Sequence, residues 1–278
     1  MSSNDTRATV CASCGRLISR NEPACPHCGA SRTGWRAAEV LHGWVSQRGV
    51  SNSILAVNAL AFLAGLLLTR RLDETPPGFL GALSIGRETS ARMGLFYWPL
   101  VQATGEYWRF VTASFLHANL LHIAFNLWSL VALAPLLERE YGWARFTLVY
   151  LGSGVAGWIA CAIWGQPALG ASCSLFGLLG AGWALGKRYG GTWGENARAM
   201  FRTWAISGVL YSFVIPGVSI PGHLGGLIGG GLLGYALAAP RRRMAEIVRN
   251  PPWLALLAGA ALLSVPVSFA LAALGFAD

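Results

Sequence analysis

Three short stretches of this 278-residue chain place nucleophilic and proton-transferring side chains inside runs that are otherwise apolar. GASCSLFG, residues 170–177, opens one run with Ser172, Cys173 and Ser174. PGHLGG, residues 221–226, opens another with His223, and HANLLHIAFN, residues 117–126, supplies His117, His122 and Asn126. Polar side chains inside membrane-spanning segments are costly, so they are functional candidates by default. A serine and a histidine form the smallest nucleophile–base pair: the imidazole takes the hydroxyl proton as the oxygen attacks a carbonyl. The apolar runs contain no Asp or Glu to complete a triad, so the chemistry read here is a dyad of Ser172 and His223. Ser172 follows Gly170-Ala171 at the start of an expected helix, where free backbone N–H groups can stabilise an oxyanion. His122 and Asn126, four apart on one helix face, are further donor candidates. Cys173 points about 100° away from Ser172 on a helix, which favours the serine as nucleophile. Taken singly, each residue also has a structural reading: a helix serine often bonds its own backbone, and a buried histidine can simply be paired. For His117 the structural reading is preferred, with a hydrogen bond to the neighbouring loop.

The rest of the chain supplies the elements that must position these groups. Hydrophobic residues make up 54% of it and charged residues 12%, and the mean hydropathy is +0.48. A soluble domain is normally about 25% charged. The fold class expected is therefore an all-α polytopic membrane protein. Seven apolar runs are long enough to be spans, at about 52–69, 113–136, 147–165, 172–186, 203–218, 222–239 and 253–275. Of the 21 Lys and Arg, 16 fall in alternate connections on one side, which by the positive-inside asymmetry places the N-terminus in the cytosol and the C-terminus outside. The first 50 residues carry no apolar signal-peptide core, in keeping with that orientation. This placement accounts for most of the net charge of +9 without nucleic acid as a partner. Gly222, Gly226, Gly230 and Gly234 repeat every four residues, and Gly177 and Gly180 line the fourth run. Small-residue stripes let helix backbones approach closely, which would bring His223 near Ser172. The connection 70–112 is long and semi-apolar, and a loop of that length usually has structure and a role of its own.

Ahead of the membrane part lie Cys11-x2-Cys14 and Cys25-x2-Cys28. Four thiolates at that spacing suit one tetrahedral Zn²⁺, and a site closed by four cysteines is structural. The expected organisation is a cytosolic zinc ribbon at 1–30, a polar linker at 31–51, a membrane core at 52–239, and a basic loop with a seventh helix at 240–278.

Together these stretches resemble the rhomboid family of intramembrane serine proteases, over about residues 52–239. The resemblance rests on YWRF at 107–110, HANLLHIAFN, GASCSLFGLLGA and GHLGGLIGG, in that order. It implies a six-helix core, here with a seventh, C-terminal helix appended. Ser172 is then the nucleophile and His223 the base. His122 and Asn126 match the oxyanion-stabilising side chains, and Phe176 matches the aromatic that packs on the catalytic histidine. Trp108 and Arg109 match a Trp-Arg pair of the first loop, with Arg109 anchoring that loop and Glu106 hydrogen-bonding within it. One departure stands out: the family pattern Gly-x-Ser-Gly reads Gly170-Ala171-Ser172-Cys173 here, so a thiol faces the sixth run where the family has none.

The function expected is hydrolysis of a peptide bond in a transmembrane segment of another membrane protein, with no cofactor for catalysis, in a bacterial plasma membrane. The Cys173 departure motivates an alternative, a catalytically silent relative that binds membrane clients. A third reading makes the zinc ribbon the working end, contacting a protein partner. Residues 1–51 hold six Arg against three acidic residues, too weak a basic patch to favour nucleic acid.

Overall fold

A computed structural model of the chain describes residues 8–10, 17–19, 25–27, 36–215, 217–238 and 251–275. Apart from one small hairpin the described elements are helical. Strands β1 (Ala8–Val10) and β2 (Leu17–Ser19) pair antiparallel, with Thr9 opposite Ile18. Ten α-helices follow: α1 (Arg36–Arg71), α2 (Arg87–Met93), α3 (Trp98–Thr104), α4 (Arg109–Thr112), α5 (Leu120–Tyr141), α6 (Trp143–Trp164), α7 (Ser172–Tyr189), α8 (Gly191–Val214), α9 (Ile220–Leu237) and α10 (Pro252–Leu274).

The seven long helices fall on the seven apolar runs. By length and composition, four of them can cross a membrane: Gly49–Arg71 of α1, and α5, α6 and α10. Their outward faces are rows of exposed Leu, Ile, Val and Trp, as a lipid-facing surface requires. The remaining three, α7, α8 and α9, are diluted by glycine and by polar residues. Among them α7 is the hub, buried along Cys173–Gly182 and again at Ala184–Gly186. A helix wrapped by protein on all sides need not be uniformly apolar.

The second run differs from its expected start. Helix α5 begins at Leu120, not near 113, because the Asn119 side chain caps it by accepting the His122 N–H at 2.9 Å. Upstream, Ala113–Phe115 form a 3₁₀ turn, and the Ala118 carbonyl accepts the Ile85 N–H at 2.8 Å. His117 therefore lies in the connection before α5, not in the span. The fifth run is also longer at its polar end: α8 starts at Gly191, since a helix leaving an apolar slab can continue with solvated Asn and Arg side chains. It stops at Val214, two residues before Pro216, as backbone ahead of proline disfavours helix. Helix α1 likewise extends back to Arg36, inside the stretch read as linker.

Glycine sets how closely the helices pack. A Cβ at Gly226 would collide with the Cys173 carbonyl, at Gly230 with Gly177, and at Gly180 with the Leu227 carbonyl. Helices α7 and α9 thus meet backbone to backbone, along the stripe visible in the sequence. Helix α6 packs on the other side of α9, with Gly157 facing Gly222 and Cys173. At the end of the bundle away from Ser172, the Tyr141 hydroxyl lies 3.0 Å from the carbonyls of both Ala181 and Gly234, which ties α5 to α7 and α9.

The connection between α1 and α5 is folded, with α2, α3 and α4 inside it. Arg109 holds it together. Its guanidinium donates to Glu106 Oε2 at 2.9 and 2.7 Å, to the Ala91 carbonyl at 2.6 Å and to the Leu95 carbonyl at 3.1 Å. It also lies 4.7 Å from the centre of the Trp108 ring. A two-residue bridge, Phe96 N–H to Ala168 O at 3.0 Å and the reverse at 2.9 Å, fastens this connection to the segment just before α7. The folded loop is thereby set over the end of the bundle that holds Ser172.

Candidate active site

Ser172 is the first residue of α7, so its N–H is one of the unpaired donors of a first helical turn. Two residues earlier, Gly170 takes φ +132°, a conformation that side chains rarely adopt. A Cβ at Gly170 would also lie 2.8 Å from His122 Nε2 and 3.6 Å from Ser172 Oγ. The glycine therefore does two things: it turns the chain into α7 and leaves room for the His122 ring beside the serine.

His122 has its protons placed by its surroundings. The Ala118 N–H donates to Nδ1 over a long 3.4 Å, so the ring proton belongs on Nε2. That Nε2 is the atom facing Gly170, and its N–H is a donor directed at the space beside Ser172. Asn126, one turn further on the same face of α5, donates from Nδ2 to the His122 carbonyl at 2.8 Å. Its Oδ1 is buried without a partner among the described residues. His117 stacks edge-on against His122, with ring centres 5.0 Å apart. It is buried, with the Phe115 backbone of the preceding turn as a polar group beside its ring.

His223 enters from α9. Ser219 caps that helix by accepting the Gly222 N–H at 3.2 Å, and Pro221 occupies its first turn, which sets the exit angle of His223. The imidazole lies flat on the Phe176 ring, with centres 4.1 Å apart and planes 18° from parallel. Phe176 is one turn below Ser172 on the same face of α7, so the stack holds His223 on the side of α7 that carries the serine. Ser172 and His223 are not hydrogen-bonded to each other. Such bonds are commonly long before substrate binds and tighten with it. On its other edge His223 Nδ1 lies 2.7 Å from Ser212 Oγ of α8. Nothing in the sequence pattern picks out Ser212, a serine eleven residues before the histidine in a different helix.

Cys173 is buried on the far side of α7. A Cβ at Gly157 would lie 2.8 Å from its sulfur, and one at Gly222 would lie 2.9 Å from it and 3.0 Å from the Cys161 sulfur. The thiol that replaces the expected glycine is thus housed by two glycines on α6 and α9. It points toward α6 and α9.

Of the proposed metal ligands, Cys11, Cys14 and Cys28 lie outside the described residues, and Cys25 is buried. Among the described residues no group of three or more His, Cys, Asp or Glu is arranged to hold a metal.

Comparison with known proteins gives one consistent result. The rhomboid domain family matches residues 104–240. The chain is 37% identical over 145 residues to the putative rhomboid protease YdcA of Bacillus subtilis, which covers 51% of this chain and 72% of that protein. It is 36% identical over 144 residues to the rhomboid protease GluP of the same organism, covering 50% of this chain but only 28% of GluP. With the mitochondrial RHOMBOID-like protein 6 of Arabidopsis thaliana it shares 31% identity over 188 residues, 64% of this chain and 58% of the relative.

Proposed function

The chain belongs to the rhomboid family, and from that premise we propose that it is an intramembrane serine endopeptidase acting through Ser172 and His223. The observation that carries this reading is the His223–Phe176 stack one helical turn from Ser172, with His122 Nε2 against Gly170 on the other flank. In the proposed reaction Ser172 Oγ attacks the scissile carbonyl while His223 Nε2 takes its proton. The oxyanion is met by the His122 Nε2–H and the Ser172 backbone N–H. His223 then returns the proton to the departing amine, leaving an acyl-serine. Water, deprotonated by the same nitrogen, releases the acid and restores the serine. The substrates are transmembrane proteins, since a peptide bond in lipid can be cut only where a bundle supplies polar groups and water. Seven spans, with the N-terminus cytosolic, complete this reading.

The test is cleavage of a transmembrane substrate in proteoliposomes. Loss of cleavage in both Ser172→Ala and His223→Ala, with retained folding, supports the dyad; cleavage that survives Ser172→Ala ends it. The silent-relative alternative is motivated by the Cys173 departure, and the two glycines that face its thiol support the active reading. Cys173→Gly is expected to cleave no faster than the unaltered chain.

Residues 1–30 are proposed as a structural zinc ribbon on the spacing of their four cysteines, with β1 and β2 flanking the first pair as a knuckle requires. Metal analysis of the purified chain should find one zinc, absent after Cys11→Ser with Cys14→Ser. Chelation is expected to leave substrate cleavage unchanged and to alter binding of a protein partner.

A further inference from the structure

We propose that Ser212 is the positioning residue for His223, fixing the imidazole tautomer that can act as a base. This rests on the dyad reading above. Ser212 Oγ has two close polar neighbours: the Gly208 carbonyl at 2.8 Å, one turn back on α8, and His223 Nδ1 at 2.7 Å. A hydroxyl has one proton and two lone pairs. A carbonyl can only accept, so the proton of Ser212 goes to Gly208, as helix serines commonly arrange. What the oxygen then offers His223 is a lone pair, and Nδ1 must carry the proton to use it. The other nitrogen, Nε2, is left with a free lone pair, which is the form a general base needs. With the opposite tautomer, Nδ1 and Ser212 Oγ would face each other with lone pairs only, unless Ser212 gave up Gly208.

The surroundings leave the ring little else to choose. One face is covered by Phe176, and both His223 and Ser212 are buried. Among the described residues Nδ1 has Ser212 as its partner and no acidic side chain, where a triad would have its carboxylate. A neutral hydroxyl with its own proton already committed does the orienting part of that task without burying a charge. It also makes the base answer to a third helix: α7 carries the nucleophile, α9 the histidine, and α8 the group that sets its protonation.

The experiment uses the full chain in lipid nanodiscs, with two independent readouts. The first is ¹⁵N NMR of histidine-labelled protein, with His223→Ala assigning the His223 signals by subtraction. The unaltered chain should show a protonated Nδ1, and Ser212→Ala should shift the ring toward mixed tautomers. The second is the rate at which a fluorophosphonate labels Ser172, together with kcat and KM for a transmembrane substrate. Ser212→Ala should slow labelling and kcat about tenfold or more, a part of the roughly 100- to 10,000-fold that a positioned base supplies. KM should stay unchanged, and Ser212→Thr, which keeps the hydroxyl, should recover most of the rate. A protonated Nε2 in the unaltered chain, or unchanged His223 signals in Ser212→Ala, overturns the proposal. Labelling that is as fast in Ser212→Ala as in the unaltered chain does the same. If the unaltered chain and Ser172→Ala are equally unreactive, the dyad reading fails, and the NMR signals alone still decide the role of Ser212.

Discussion

At the scale of single residues, the reactive groups sit where one ring nitrogen or one N–H decides the outcome. His122 is held with Nε2 toward Gly170, so on the proposed mechanism His122→Ala removes an oxyanion donor and leaves the nucleophile in place. A fall in kcat of about 10²–10³, with KM little changed, is expected in substrate kinetics. That Ser172, His223, His122 and Phe176 come together was legible in the sequence, because each belongs to a short string whose spacing constrains it. Ser212 was not. Its i−4 bond to Gly208 is what any helix serine does, and the second bond crosses to another helix, where spacing carries no information. His117 was misplaced for a related reason. Its apolar neighbours read as a continuing span, whereas the Asn119 cap and the pairing with Ile85 end the helix before reaching it.

Whole elements were more readable than their ends. The glycine stripe of α9 announced close packing, and the structure sets Gly226, Gly230 and Gly234 against backbone of α7 and Gly222 against the Cys173 and Cys161 thiols. Gly230→Ala would press a methyl into Gly177, where no side chain can rotate away. Overpacking of this kind costs about 1–3 kcal/mol, to be read as a lower midpoint in detergent unfolding. The loop helices depend instead on polar ties. Glu74 caps α2, accepting the Glu88 and Thr89 N–H groups at 2.8 and 2.9 Å and the Thr89 hydroxyl at 2.7 Å. Slight desolvation works to raise its pKa, but these hydrogen bonds and the nearby Arg92 outweigh it and hold the carboxyl below its ordinary 4.5. A carboxyl whose folded pKa is depressed stabilises the fold above its unfolded value, and that contribution is lost as pH falls through the folded one. Amide exchange at Glu88 and Thr89 should therefore lose protection below about pH 4.5, and Glu74→Gln should abolish that pH dependence.

Across the whole molecule the bundle is unevenly built. α7 and α9 touch along their backbones, and α8 meets α7 just as closely where Gly194 faces Gly186, but α8 and α9 stand apart at the end away from Ser172. There an apolar cleft of about 550 Å³ opens, lined by Trp183, Phe201, Ile206 and Leu232 among others. Distances between spin labels should be sharply distributed for an α7–α9 pair and broad for an α8–α9 pair placed beside that cleft. This unevenness has a consequence for how distant changes reach the reaction. A side-chain interface absorbs a small intrusion by changing rotamers, but glycine against carbonyl has none to change. The α7–α9 seam is in effect a rigid ruler that sets the gap between serine and histidine. Gly234 is eleven residues, or about 16 Å, from His223 along α9, and a methyl there would press on Ala181 and the Tyr141 hydroxyl. Such a methyl would tilt the ruler rather than dent it, and kcat should fall before stability does.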